Sequence, residues 1–160
     1  MPDATQKPPA PAAAAAPAAT FKDPYGAYNF KLVIQGVVEG HFTRCTGLGV
    51  KVEAIKYREG GTAQVVHRLP GRVEYADVTL FYGLTASKEL WLWLESAMKG
   101  TVQRRNVSVV VLANDGTTEA VRFNLLNAWP SSWSGAPLDA LSNEAAIEQL
   151  TLVYETLERV

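Results

Sequence analysis

The residues best suited to chemistry are two histidines, His41 and His67, and a single cysteine, Cys45. His41 and Cys45 stand four positions apart in a predicted strand, which separates them by about 13 Å along that strand. Because zinc ligands lie about 2 Å from the metal, this pair cannot share one ion unless the strand bends sharply. His67 falls in a separate, polar segment. The sequence therefore predicts no metal site.

Nucleophilic catalysis is not indicated either. Serines are plentiful, but no Gly-x-Ser-x-Gly nucleophile elbow is present, and no serine or cysteine has a credible partner base. We therefore predict no catalytic residues, no cofactor and no enzyme activity.

The glycine pair Gly60-Gly61 invites comparison with phosphate-binding loops. A Walker loop needs Gly-Lys-Ser/Thr leading into a helix, and a dinucleotide fingerprint needs three spaced glycines between a strand and a helix. Here the glycines lead into a β-like run, residues 64–69. They are interpreted instead as turn residues at the tip of a long hairpin formed by about residues 53–69.

This hairpin is too polar to join a core. Exposed strands of this kind either pair with a partner or carry charges that prevent pairing. Arg58, Glu59 and Arg68 fit both interpretations, as solubilising charges or as partners in salt bridges with a neighbouring copy.

Two tryptophans, Trp129 and Trp133, flank a proline within residues 127–135. Around a proline turn they could form a platform for a sugar or peptide, or they could seal one end of a β core. We favour the sealing role.

Composition divides the chain into an extension and one domain. Residues 1–22 are rich in alanine and proline, which predicts a flexible tether, and residues 23–160 have the size of one ordinary domain. A formal net charge of −1, from 15 basic and 16 acidic residues, offers polyanions no overall attraction, so specific nucleic-acid binding is not expected. One cysteine cannot form an intrachain disulfide. No run approaches the about 20 apolar residues of a membrane span, so stable membrane insertion is not expected.

Alternating apolar residues predict an antiparallel β domain. Residues 28–34 read as a strand, and Gly36 predicts a hairpin to a partner strand containing Val38 and Phe42. Further strands are predicted at about 77–82, at 107–112 and, after a hairpin turn at Asn114-Asp115-Gly116, at 121–125.

The alternation shifts within residues 50–57. Val50, Val52 and Ala54 share one phase, but the apolar positions then move to Ile55 and Tyr57. Such a shift predicts a β-bulge, where a strand leaves one packing surface and begins to face another.

One helix is predicted between Thr85 or Ser87 as its cap and Gly100 at its end. Its apolar face contains Leu90, Trp91, Leu94, Ala97 and Met98. Leu92 falls on the polar face and Trp93 on the flank, which makes both candidate contacts with another chain.

Several segments, taken in order, resemble the inner tube proteins of contractile phage tails and related contractile injection systems. They cover about residues 23–160 and read "DPYGAYNFKLVIQG", "CTGLGVKVEAIKYREGG", "RLPGRVEYADVTLFYGLT", "LWLWLESAMKG", "NAWPSSWSG" and "SNEAAIEQLTLVYETLERV". The resemblance implies a mainly β fold, a six-stranded antiparallel barrel or sandwich with one flanking helix.

The resemblance also implies an assembly. Six copies would close into a ring, and rings would stack into a hollow tube that sheath contraction drives through a target envelope. Sheath, baseplate or tube-initiator and tube-terminator proteins would be its partners, and DNA or protein effectors its cargo. Assembly in the bacterial cytoplasm, as part of a phage tail or tail-like particle, follows.

Residues carried over from the resemblance fall in two groups. The extended hairpin would be an arm between subunits, containing Tyr57, Arg58, Glu59, Gly60, Gly61, Arg68, Leu69, Pro70 and Gly71. Further candidate subunit contacts are Leu92, Trp93, Asn127, Trp129, Trp133, Asn143 and Glu144.

Periodicity leaves the last segment, residues 145–157, open between strand and helix. The resemblance implies a strand from Ile147 to Leu157.

Two alternatives remain at this point. The chain could be a tube-initiating ring or a secreted ring like the type VI secretion hexamer. A carbohydrate-binding β-sandwich that uses Trp129 and Trp133 is more remote.

Overall fold

A computed structural model describes residues 23–35, 42–58, 60–61 and 66–160. The predicted flexible extension, residues 1–22, lies outside these ranges, and so do the glycine of the predicted first hairpin, Gly36, and the residues His41 and Glu59.

The described residues form nine strands and one helix. In chain order these are β1 (Phe30–Ile34), β2 (Phe42–Thr46), β3 (Val50–Tyr57), β4 (His67–Tyr75), β5 (Val78–Gly83), α1 (Glu89–Met98), β6 (Arg105–Leu112), β7 (Glu119–Ser134), β8 (Ile147–Val153) and β9 (Thr156–Arg159).

Seven of these strands form one antiparallel sheet in the order β1-β6-β7-β8-β5-β2, with β9 also paired to β7. β3 and β4 pair only with each other, as a separate two-stranded ribbon. The mainly β, antiparallel architecture with one helix agrees with the prediction.

The long strand β7 carries the sheet around a corner. Its first part pairs with β6 and β9, up to Ala128, and its last part, from Trp129, pairs with β8. Just before the change of partner, at the register shift between Leu125 and Ala128, Asn127 has φ 55°, a left-handed backbone that non-glycine residues seldom adopt. Strands that change sheets at a bend form the corners of folded β structures.

The two halves of the sheet enclose one hydrophobic core. It includes buried side chains from both halves and from the helix: Leu32, Ile34, Val78, Leu80, Leu90, Trp93, Val107, Val109, Leu125, Ala128, Leu150, Leu152 and Tyr154.

The buried face of the helix only partly coincides with the predicted one. Leu90, Trp93 and Leu94 are buried, whereas Trp91 is 43% exposed and Met98 61% exposed. Leu90 and Leu94 are thus buried as predicted, whereas the prediction for Trp91 and Met98 is wrong. Trp93, at 1% exposed, belongs to the core, so its predicted contact with another chain is wrong. Trp93 can be buried because its polar group has a partner: the Trp93 Nε1–H donates a 2.7 Å hydrogen bond to the Gln103 carbonyl oxygen.

The described parts of the first two strands do not pair with each other as predicted, and the predicted turn at Gly36 and the following Val38 lie outside the described residues. β1 pairs with β6, where Leu32 lies opposite Val109, and β2 pairs with β5. Pairing with β6 places the buried residues Leu32 and Ile34 of β1 beside Val109 and Val107 in the core. By contrast, the predicted hairpin at Asn114–Gly116 joins β6 to β7, and Gly116 has φ +72°.

The carboxyl-terminal segment is a strand, which settles the earlier ambiguity. It is divided in two, because Tyr154 turns into the core and the Glu155 N–H donates to the Leu126 carbonyl oxygen at 3.1 Å. β9 then returns along β7, which gives the main sheet one strand more than the six implied by the resemblance.

Candidate assembly interface

The ribbon formed by β3 and β4, hereafter the arm, stands away from the folded body. All eight residues of β3 are exposed, including Val50, Val52, Ile55 and Tyr57 at 50–57% of their surface. A two-stranded ribbon is at best marginally stable in water without further packing. The arm is therefore a candidate surface for contact with another chain.

A β-bulge divides the arm into a root and a tip, as the shift in alternation predicted. Val52 pairs with Val73 but Ala54 pairs with Pro70, so β4 contains one extra residue. Strand alternation then places Val50, Val52 and Val73 on one face of the root, and Ile55, Tyr57 and Leu69 on the opposite face of the tip.

The predicted arm residues lie together at this tip. Tyr57 pairs with His67, Ile55 with Leu69 and Lys56 with Arg68. Gly61 has φ +107°, as a turn glycine requires, and Arg58 and Gly60 are exposed beside it.

At the bulge, Gly71 packs closely across the ribbon. A Cβ added there would lie 3.0 Å from the Glu53 carbonyl oxygen and 3.1 Å from the Ile55 side chain. Any larger residue would therefore have to push β3 and β4 slightly apart at this point.

The root is fixed to the body by contacts around Gly49. The Ala76 N–H donates to the Gly49 carbonyl oxygen at 3.0 Å, and the Tyr154 hydroxyl donates to the same oxygen at 3.4 Å. Tyr75 packs on Tyr154 with ring centroids 5.6 Å apart. Burial raises the pKa of Tyr154, so its hydroxyl stays a donor at neutral pH. The root of the arm is thus bonded to the body, whereas the rest of the arm is exposed.

A second exposed apolar surface lies beside the helix. A groove of about 470 Å³ is lined mainly by Tyr82, Leu84, Leu90, Trp91 and Leu92. Leu92 is 57% exposed, so it remains a candidate subunit contact. Burial, with help from the nearby Glu148 carboxylate, raises the pKa of Tyr82 to about 12, so its hydroxyl is not ionised at neutral pH. The charged residues Lys88, Glu95 and Glu148 also line the groove.

The two tryptophans of β7 do not flank a turn. Pro130 is buried within the strand, at a bulge opposite β8, so the predicted proline turn is wrong. Trp129 is partly buried, and Trp133, 37% exposed, packs edge-to-face on Trp91 with ring centroids 5.1 Å apart. Trp133 therefore joins the helix to the end of β7.

Asn127 acts within its own chain. Its Nδ2 donates to Glu155 Oε2 at 2.8 Å, and its backbone N–H donates to Asn106 Oδ1 at 3.2 Å. Glu155 also pairs with Arg104. These bonds hold the corner of β7 against the turn between β8 and β9.

The loop of residues 135–146 contains the predicted contacts Asn143 and Glu144, both exposed. It also presents Leu138 and Leu141, which are 83% and 95% exposed and were missed in the sequence. The sequence did contain a signal for this surface: two leucines in a loop of small and acidic residues, at positions that fit neither the alternation of a strand nor the apolar stripe of a helix.

The described part of the chain has few side chains placed to bind a metal or to act as a nucleophile. Within it, no three His, Cys, Asp or Glu side chains gather as a metal site requires, and no helix is long and apolar enough to cross a membrane. Cys45 is partly buried, which raises its pKa to about 11 and leaves it a poor nucleophile at neutral pH.

Sequence comparison identifies the family of the chain that carries these surfaces. Residues 26–158 match the family model described as T4-like virus tail tube protein gp19. The chain belongs to this tail tube family. A comparison with curated protein sequences gives no match.

Solved structures agree with the tail tube assignment. A chain from the anti-feeding prophage cap, described as a tube terminating cap, is 26% identical with a TM-score of 0.78 and matches over 88% of this chain and 93% of that chain. A chain from the sheath–tube complex of an extracellular contractile injection system in the extended state is 25% identical, with a TM-score of 0.76 and coverages of 86% and 91%.

A more distant structure, Hcp1 from Flavobacterium johnsoniae, shares the fold alone, at 14% identity and a TM-score of 0.52, over 82% of this chain and 94% of that chain. The tail tube family and its injection-system neighbours make this protein a structural subunit of a contractile injection tube.

Proposed function

We propose that six copies of this chain close into a ring and that the rings stack into the hollow inner tube of a contractile injection apparatus. Contraction of a surrounding sheath drives the tube through a target envelope, and the lumen conducts DNA or protein cargo. The protein performs no reaction of its own.

The observation that carries this proposal is the arm. It offers two unpaired strand edges and half-exposed apolar residues on both faces, and nothing in the described chain covers them. Strand edges of this kind are templates for pairing with another chain. Identical neighbours supply such strands in every copy, so a closed assembly satisfies all arms at once.

The position of the second surface supports both ring closure and stacking. The groove beside Leu92 lies at the Gly83 end of β5, whereas the arm root lies at the Val78 end. Contacts between unlike surfaces close into rings when the rotation closes and continue as filaments when it does not. One chain with several unlike surfaces can therefore build both a ring and a stack.

The partners are proposed from the relatives. The related chains come from a sheath–tube complex, from an anti-feeding prophage baseplate and from a tube-terminating assembly. We assign the corresponding partners, sheath, baseplate and terminator, to this chain. Assembly takes place in the bacterial cytoplasm. A formal net charge of −1 suits a lumen that lets cargo pass without binding it strongly.

The test is a double variant on the apolar face of the tip, Ile55→Asp with Leu69→Lys, whose opposite charges face each other in the strand register and so keep the strand pair together. Both side chains are about half exposed, so the monomer should keep its fold while losing the surface that a neighbour covers. We expect a wild-type circular dichroism spectrum and no tubes by negative-stain electron microscopy. Val102→Asp, at a comparably exposed loop position, is the control. Tubes of normal length from the double variant would overturn the role of the arm.

A further inference from the structure

The tip of the arm carries a concentrated positive charge on one face. Lys56 lies directly opposite Arg68 in the strand register, and Arg58 follows two positions after Lys56. Together with Val66 these three cations line one hollow of about 410 Å³. Like charges that face each other across a strand pair destabilise it. Among the described residues, none of the three forms an ion pair with a carboxylate.

The loop of residues 135–146 carries the opposite, negative charge. Asp139 and Glu144 line a hollow of about 660 Å³ together with Pro137 and Leu138, and no cation lines it. One Asp139 oxygen, Oδ1, accepts a 2.9 Å hydrogen bond from the Leu141 N–H. Neither carboxylate forms an ion pair within the described chain. The loop therefore presents two free negative charges beside exposed leucines.

These two features lie at opposite ends of the same pair of strands. The arm root joins the body where Val78 pairs with Leu152, and the loop enters β8 where Gly83 pairs with Ile147. Those pairs are about 17 Å apart along the strands. Because the whole of β3 is exposed, the arm does not fold back over the body towards its own loop.

We propose that the cationic face of each arm, Lys56, Arg58 and Arg68, binds the carboxylates of Asp139 and Glu144 in the loop of the next copy. This inference rests on the proposed tube and names the contact that stacks one ring on the next. Features at opposite ends of a chain meet when copies stack head to tail, and such a contact repeats without limit. The exposed leucines of the loop add apolar burial around the ion pairs.

The first test exchanges the charges in the full-length chain. Arg68→Glu alone and Glu144→Arg alone should each lower the yield of sedimentable tube about tenfold, because close charge pairs at interfaces contribute strongly to binding. The combined variant should return the yield to within about threefold of wild type. Rising salt should reduce the wild-type yield.

A mismatched pair is the control. Lys51 lies on the other face of the arm, near its root, opposite Glu74. Lys51→Glu combined with Glu144→Arg should therefore fail to restore tubes. Normal yields from either single variant, or equal rescue by the mismatched pair, would overturn the inference. If the wild-type chain itself forms no tubes, the proposed function fails instead.

The second test detects the contact directly, in a Cys45→Ser background. One chain carries Gly60→Cys, where an added Cβ meets nothing within 4 Å, and another carries Asn143→Cys at an exposed position. Under mild oxidation the mixed chains should form a disulfide-linked heterodimer within tubes. Tubes that assemble with no heterodimer, or with cross-links only between identical variants, would contradict the proposed contact.

Discussion

The Nε1–H of Trp93 donates a 2.7 Å hydrogen bond to the carbonyl oxygen of Gln103, and this bond fixes which face of the helix enters the core. Arg105 lies over the same ring at 5.4 Å from its centroid. These contacts hold the helix against the start of β6, and Leu92 remains 57% exposed.

Trp93→Ala should lower the free energy of unfolding by about 3–5 kcal/mol, because it removes a large buried side chain and leaves a cavity. Leu92→Ala should change it by less than about 0.5 kcal/mol in the monomer, since Leu92 is half exposed. Urea denaturation at concentrations too low for assembly measures both values. Equal losses from the two substitutions would contradict the assignment of faces.

The corner of β7 gives a second prediction. Asn127→Ala should destabilise the chain by about 2 kcal/mol, since alanine keeps the strain of φ 55° and loses the hydrogen bond to Glu155. Asn127→Gly should cost less, because glycine removes the backbone strain. Thermal denaturation of the three proteins provides the order. A glycine variant less stable than the alanine variant would show that backbone strain at φ 55° does not determine the cost of these substitutions.

Two glycines near the arm make a matched pair. Gly47 has φ +91°, and a Cβ there would lie 2.0 Å from the Asp77 carbonyl oxygen, whereas a Cβ at Gly60 meets nothing within 4 Å. Gly47→Ala should therefore cost at least about 3 kcal/mol, and Gly60→Ala less than about 1 kcal/mol. Chemical denaturation of both variants tests this difference. A tolerated alanine at Gly47 would mean that the root of the arm can shift.

Cys45 should react slowly with alkylating reagents. Its pKa of about 11 leaves little thiolate at pH 8, so alkylation of the native chain should be about a hundredfold slower than in urea, where an ordinary thiol pKa of about 8.5 applies. The folded pKa is raised, so the unfolded thiol loses its proton first, and the stabilising effect present below about pH 8.5 is lost as pH rises towards 11.

A comparison with Cys45→Ala isolates this effect from other titrating groups. Wild type should lose stability relative to the variant over that pH range. Equal alkylation rates in the native and unfolded chains would show that the thiol is accessible.

Much of the fold was predictable because the relevant signals are local. Alternation marked β5, a continuous apolar run marked β6, the turn at Asn114-Asp115-Gly116 marked the β6–β7 hairpin, and the phase shift after Ala54 marked the bulge. Each of these depends on a few neighbouring residues.

The errors arose where distant residues decide the structure. The pairing of β1 with β6 joins residues more than seventy positions apart, which no turn signal encodes. The helix face depended on the carbonyl of Gln103, which lies beyond the end of the helix, and the turn at Pro130 was overridden by pairing with β8. The arm was predictable from its polarity and glycines. The leucines of the 135–146 loop were not, because an exposed residue in a loop has no period.

We propose that this chain completes its β structure by joining identical copies in a tube. Cryo-electron microscopy of the purified full-length protein, concentrated alone and with baseplate components as a nucleus, tests it most directly. We expect hollow tubes of stacked sixfold rings in which every arm lies against a neighbouring copy. Monomers alone under all these conditions, or an assembly in which the arms remain uncovered, would contradict it.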